Sequence, residues 1–366
     1  MKRHRFSPGS RGLKGFSLIE LMVSLAIGLI ITIAAFSAYL GASTASRMAE
    51  AQARMNEDAQ AALSILTQQF RMAGNNPERA NRIGSHDPML SSRRNPIYTS
   101  TYAGLAPLTQ TNRGSSVITP FTPSAFSIRG CDGIFSNLTT AARLDDLNCV
   151  SDTSQPDSIA ISYEADEFNT IGTVPTNTIP TLPTDCLGNR LRDIKATLPE
   201  FNPLALVVPP VATPSAVPYW MADNRFYIGT SRTIVSPSLY CKGNGGGPGA
   251  LQQPLVENIE DMQFTYGTIN AATAPEEVKT APVAGYLSAT QIDTNVALAS
   301  LPNDGARWSK VITVRICVLV RSESPVVSDS ASASYLKCDG SVSAAQPDLR
   351  LRRAYSTTVV LRNRKL

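Results

Sequence analysis

Hydrophobic positions along this chain change period twice. From Leu21 to Ser46 they run almost without interruption, and no charged residue occurs. At 1.5 Å per residue such a helix is long enough to cross a hydrocarbon core of about 30 Å. Over residues 47–73 the pattern becomes a stripe. Met55, Ala59, Ala62, Leu66, Phe70 and Ala73 recur at spacings of three and four, the signature of one buried helix face. Ala, Met, Gln, Leu, Glu and Arg dominate there, all good helix formers. Glu50 and Arg54 stand four apart in the favoured order. Gly74 is placed as the residue after the last turn, and Pro77 follows. Beyond it the period shortens to two. Strands are predicted at Ser158 to Ala165, Arg225 to Ser236, Asp261 to Gly267, Trp308 to Ser322 and from Ala354 to the C-terminus. In the Trp308 segment Ile312, Val314, Ile316, Val318 and Val320 form an apolar face, and Thr313, Arg315 and Arg321 stand on a mixed one. Phe201 to Pro218 carries five prolines and reads as an extended loop. Lys242 to Gly249 lacks the glycine spacing of a dinucleotide site and reads as a flexible turn.

Charge changes the picture at the N-terminus. The formal net charge of the 366 residues is +4. Lys2, Arg3, Arg5, Arg11 and Lys14 precede the apolar run with no acid among them. The rest holds 28 basic and 29 acidic residues, so the excess gives no support to a nucleic-acid-binding body. It orients the apolar segment with its N-terminus cytoplasmic. Two histidines, His4 and His86, exclude histidine-pair metal sites and leave one residue for any triad. The apolar run is too long for a secretory signal peptide. A plain membrane anchor fits its length but leaves Glu20, at its very start, without a role.

The string from Lys14 to Ser24, K-G-F-S-L-I-E-L-M-V-S, resembles the cleavage and assembly region of type IV prepilins and pseudopilins. The resemblance implies cleavage by a prepilin peptidase after Gly15 and N-methylation of Phe16. It implies a subunit-assembly role for Glu20, the acid at the fifth position after cleavage. Such a carboxylate lies one helical turn from a new amine at Phe16, and in a filament it can meet a neighbour's amine instead. The helix-end string Gln68 to Asn76 resembles the larger minor pilins of the PilW type. So do the blocks Leu255 to Gly267, Trp308 to Ser322 and Arg350 to Asn363, and J-type pseudopilins of type II secretion share part of that pattern. One departure is that no proline interrupts Phe16 to Ala73, whereas major pilins often carry one there.

The expected fold is α+β and type IV pilin-like: a long N-terminal α-helix packed on an antiparallel β-sheet head with large loop insertions. The expected domains are a leader at 1–15, a helix at 16–76 with its transmembrane part at about 16–42, and a periplasmic or extracellular β-rich head at 77–366. Six cysteines fall in that head: Cys131, Cys149, Cys186, Cys241, Cys317 and Cys338. An even count in an oxidising compartment points to disulfides. Fifteen pairings are open, of which the sequential one is preferred. There is no C-x-x-C, and no metal or cofactor is expected. The acids beside Cys149 and Cys338 read as solvated turns without calcium-loop spacing. The run Arg350, Arg352, Arg353, Arg362, Arg364 and Lys365 reads as a solvated edge strand.

The function implied is a minor pilin in initiation and assembly of a type IV pilus, in a minor-pilin complex at the tip and without catalysis. The implied partners are prepilin peptidase, other minor pilins, the major pilin and a PilY-type tip adhesin. The implied location is the bacterial inner membrane before assembly and the pilus afterwards. The alternatives are a J-type pseudopilin and a membrane-anchored periplasmic enzyme. No nucleophile, base or metal cluster supports the last.

Overall fold

The computed structural model describes residues 17–74, the strands Leu108–Thr111 and Ile118–Phe121, and residues 127–364 apart from 142–143, 167–168, 171, 174–180, 192, 199–214, 247–250, 274–277, 279 and 302–303. The chain divides into two units, Met1–Ala51 and Gln52–Leu366. One helix, α1, spans Leu18–Met72. Its turns from residue 52 onward belong to the second unit, where every member of the predicted stripe is buried: Met55, Ala59, Ala62, Leu66, Phe70 and Ala73.

The strands follow as β1 (Leu108–Thr111), β2 (Ile118–Phe121), β3 (Ile128–Cys131), β4 (Gly133–Phe135), β5 (Cys149–Ser151), β6 (Ser158–Ala165), β7 (Asp193–Leu198) and β8 (Ser215–Gly229). Then come β9 (Ser238–Lys242), β10 (Gln253–Glu257), β11 (Ile259–Thr268) and β12 (Gly285–Leu287), the short helices α2 (Ala289–Thr294) and α3 (Asp304–Trp308), and β13 (Val311–Arg321) and β14 (Arg352–Val360). All pairings are antiparallel. An eight-stranded sheet runs β10-β9-β8-β7-β1-β2, with β6 bridging β8 and β3. A four-stranded sheet runs β12-β11-β13-β14, and β4 and β5 form a separate hairpin.

The four-stranded sheet carries the predicted apolar face. Ile312, Val314, Ile316, Val318 and Val320 are fully buried, while Arg315 is exposed. Phe264 of β11 meets Phe70 of α1 edge-on at 5.6 Å. Strand β6 is buried along its whole length and pairs on both edges, with β3 and β8.

Three expectations are corrected. The strand predicted at Arg225 to Ser236 begins earlier and ends at Gly229, so β8 takes in Ser215 to Pro218 from the proline-rich stretch read as loop. It is held there by pairing with β7, where Pro218 stands opposite Lys195; residues 201–214 lie outside the described residues. Trp308 does not start β13. It closes α3 with its ring buried and its indole N–H donating to Asp293 Oδ1 at 2.8 Å. The glycine-rich segment after β9 is no free turn in its described part. Asp185 accepts from Gly245 N–H at 2.9 Å, and a Cβ at Gly243 would lie 2.2 Å from the Asp185 carboxylate, so the approach requires glycine.

The helix end is fixed by long-range contacts. Gly74 adopts φ +71°, which releases its N–H to Ser162 O at 3.0 Å. The side-chain amide of Asn363 donates to the carbonyls of Arg71 at 3.0 Å and Met72 at 3.3 Å, groups that a helix terminus otherwise leaves open. A buried polar group ties the same turn to the large sheet. Asn224 of β8 donates to Gln69 Oε1 at 2.8 Å and to Tyr163 Oη at 3.2 Å, and its carbonyl accepts from Cys186 N–H at 3.1 Å.

The two sheets are stitched at Asp157. Its N–H donates to Met262 O at 2.8 Å, and its carboxylate accepts from Phe264 N–H at 2.7 Å. Burial pushes this carboxyl up to about 8, and the neighbouring Asp132 and Asp261 add to the rise against the backbone donors. A carboxyl raised in the folded state holds a proton that the unfolded chain gives up near its ordinary value, so its contribution weakens as pH rises from about 4 to 8. Head stability in wild type is therefore expected to fall across that window. Asp157→Asn, which keeps an acceptor for Phe264 N–H without a charge, should flatten the profile and gain roughly 1–3 kcal/mol above pH 8 relative to wild type. Urea unfolding of both proteins from pH 4 to 9 measures this, and parallel profiles would refute it.

Candidate assembly site

The N-terminal turn is built by its own sequence. Ser17 precedes the helix, its N–H donates to Glu20 Oε2 at 3.1 Å, and Glu20 N–H donates to Ser17 Oγ at 3.3 Å. This is a reciprocal capping box. The S-x-x-E spacing that produces it is visible in the sequence, but the reading above took Glu20 only as an assembly residue. The acid is held at the N-terminal end of the helix, where the macrodipole also favours negative charge. Gly15 and Phe16 lie outside the described residues.

After Glu20 the helix presents apolar side chains on all sides. Large hydrophobic residues from Leu18 to Leu40 are exposed in the isolated chain. Four of its hydroxyls are satisfied within the helix. Ser24 donates to Leu21 O, Thr32 to Leu29 O and Ser37 to Ala34 O, at 2.9–3.1 Å. Thr44 donates to Gly41 O at 2.9 Å. These four hydroxyls therefore bring no orphaned donor into lipid or into a bundle of like helices. It is long and apolar enough to cross a membrane. Its chemistry is that of one carboxylate at the mouth of an uncharged rod.

In the second unit the six cysteines form three pairs. Cys131 at the end of β3 joins Cys149 at the start of β5, Cys186 joins Cys241 in β9, and Cys317 in β13 joins Cys338 in an excursion between β13 and β14. The first joins two strands, and the other two clamp an irregular segment to a strand. Among the described residues no cluster of three or more His, Cys, Asp or Glu could hold a metal ion. Asp339, beside Cys338, serves its own turn by accepting from Ser341 N–H at 2.8 Å.

Two features of the head were not legible. Asp132, next to Cys131, caps α2 across 157 residues of sequence, accepting from Ala289 N–H at 2.8 Å and Thr290 N–H at 2.9 Å. The basic run near the C-terminus is not uniformly solvated. Arg352 is buried and bonded to Glu260 at 2.5 and 3.0 Å and to Asp348 at 2.6 and 2.8 Å. Burial alone would lower its pKa, but the two carboxylates hold it above the ordinary guanidinium value. The hydrogen bond from Arg352 holds Asp348 down at about 2. Arg353 and Arg362 are exposed.

Two families match the chain. The Type IV Pilus-assembly protein W family matches residues 225–363, which covers β9 to β14 and the Asn363 cap. The prokaryotic N-terminal methylation motif matches residues 11–36, which covers the capping box and the start of the apolar rod. No curated protein and no solved structure shows a significant match.

The three disulfides predict that alkylation of the native-source protein under denaturing, non-reducing conditions labels no thiol, and that prior reduction exposes six. Reduction should destabilise the head by about 2–4 kcal/mol per bridge on loop-entropy grounds. Labelling of two or more thiols without reductant would contradict the pairing.

Proposed function

From the premise that this chain is a type IV pilus minor pilin of the PilW family, we propose that it works in pilus initiation and assembly, within a minor-pilin complex at the pilus tip, as a structural subunit without catalysis. The observation that carries this reading is the lone acid, Glu20, at the start of a rod uncharged from Leu21 to Ser46. Prepilin peptidase cuts after Gly15 and Phe16 becomes the methylated N-terminus. The basic leader keeps residues 1–15 cytoplasmic and the anchor single-pass in the inner membrane until extraction.

The capping box explains how the acid is tolerated before assembly. In the free subunit the carboxylate accepts from Ser17 N–H, one residue beyond the new amine. In the bundle it neutralises an amine that would otherwise be buried unpaired, a loss of about 3–5 kcal/mol. Such a pair sets the axial register of the helices more than it adds net stability. The other minor pilins, the major pilin and a PilY-type adhesin are the partners of this reading. The disulfide-clamped head is the surface offered to them outside the cell.

Two outcomes test it. A bulky residue at position 15 should block cleavage and keep the chain in the inner membrane, whereas Gly15→Ala at most slows it. Mass spectrometry of the mature wild type should give an N-terminus at methylated Phe16, and any other start would defeat the processing claim.

Glu20→Ala should leave cleavage intact, because the scissile bond and its basic flank are unchanged. Surface piliation and co-purification of other minor pilins should then fall at least several-fold, at matched protein levels. Unchanged piliation with unchanged partner recovery would reduce Glu20 to a membrane-boundary residue and a helix cap.

A further inference from the structure

The four-stranded sheet ends on an edge that lacks the usual protection. Strand β14 pairs with β13 through nine unbroken register positions, from Thr313 opposite Val360 to Arg321 opposite Arg352. The bonds just beyond both ends fix the phase of the ladder: Leu361 N–H donates to Ile312 O, and Ser322 N–H donates to Leu351 O. Bonding alternates along an antiparallel strand. The odd-numbered residues of β14 therefore face β13, and Ala354, Ser356, Thr358 and Val360 turn both N–H and C=O outward. Among the described residues β14 pairs with no other strand. Edge strands are ordinarily blunted by proline, a bulge, inward charge or short length. The opposite edge of this sheet, β12, is three residues long. From Ala354 to Leu361, β14 has no proline, no charge and no break in register.

We infer that this edge takes an extended segment of a neighbouring pilus subunit as a fifth strand, by backbone pairing. The occupant is named by two observations and rests on the pilus reading for its source. The first is charge. The uncharged edge is bracketed by Arg353 and Arg362, both exposed, one at each end of the strand. Arg352 takes no part, since Glu260 and Asp348 already hold it. A segment of about six to eight uncharged, β-prone residues with an acid at either end complements that pattern. The second is position. Tyr355 Oη donates to Asn56 Oδ1 at 2.6 Å near one end of β14, and Asn363 reaches Arg71 O at 3.0 Å beyond the other. The strand thus lies alongside α1 from about residue 56 to 71 and runs in the same direction. In an assembly built by packing such helices side by side, this edge is brought next to the adjoining subunit.

The backbone phase supplies a discriminating variant. Ser356→Pro removes an outward N–H and leaves every bond to β13 in place, whereas Ser356→Ala keeps the outward N–H. The full chain in detergent is mixed with the purified major and minor pilins of the same pilus. Wild type and Ser356→Ala should recover a subunit, and Ser356→Pro with an unchanged Tm should recover at least tenfold less. Hydrogen exchange on the wild type gives a second readout that does not depend on the variant folding. The amides of Ala354, Ser356, Thr358 and Val360 should exchange fast in the isolated chain and slow at least tenfold in the complex, while Thr357 and Val359 are protected in both. Equal recovery by Ser356→Pro overturns the proposal and leaves the pilus reading standing. So does protection of the outward amides in the isolated chain, which would show that the chain itself covers the edge. A wild type that recovers no pilus subunit removes both.

Discussion

Burial of a single helix stripe is the constraint on which the head depends. Met55, Ala59, Ala62, Leu66, Phe70 and Ala73 give α1 one apolar face whose side chains are all but absent from the surface. Two sheets of different origin close over that face. The larger reaches it through β6 and β8, and the smaller through the inward residues of β11, β13 and β14. Removing one large member of such a stripe typically costs about 3–5 kcal/mol, a sizeable part of the stability of an ordinary domain.

Apolar burial alone would leave the helix free to slide or rotate by a turn. Directional bonds remove that freedom. Gln69 meets Asn224 and Tyr163 inside the core, Asn56 meets Tyr355, and Asn363 covers the last carbonyls. A buried amide that loses its partner costs more than a mismatched methyl group, so these bonds penalise every alternative register. Asp157 does the same between the two sheets. The three disulfides act elsewhere: one joins β3 to β5, and two hold the segments around Cys186 and Cys338 to β9 and β13.

The division of chemistry along α1 follows from the same economy of contacts. Its first half has four hydroxyls bonded within the helix and one acid bonded to the first turn, which lowers the polar demand it presents to lipid or to a neighbouring helix. Its second half has its demands met by the head.

Local periodicity determined a good deal of this protein. The uncharged run, the stripe from Met55 to Ala73 and the alternating face from Ile312 to Val320 each follow from the period of one element, and period is a property of neighbouring residues. The Ser17–Glu20 box is equally local and lies in the S-x-x-E spacing. The string around Gly15 carried the processing expectation for the same reason. What only the tertiary structure decided are pairings between distant residues. Asp132 capping α2, Asp157 joining the sheets, Asn363 closing the helix and Arg352 meeting Glu260 involve partners dozens to hundreds of positions apart. Ser215 to Pro218 became strand because β7 was there to pair with it, against the local signal of its prolines. The glycines after Lys242 turned from apparent flexibility into a close approach because Asp185 stood opposite. An isolated sequence states what each segment prefers; which charge is neutralised, which carbonyl is capped and which edge is left open depend on what the fold brings beside it.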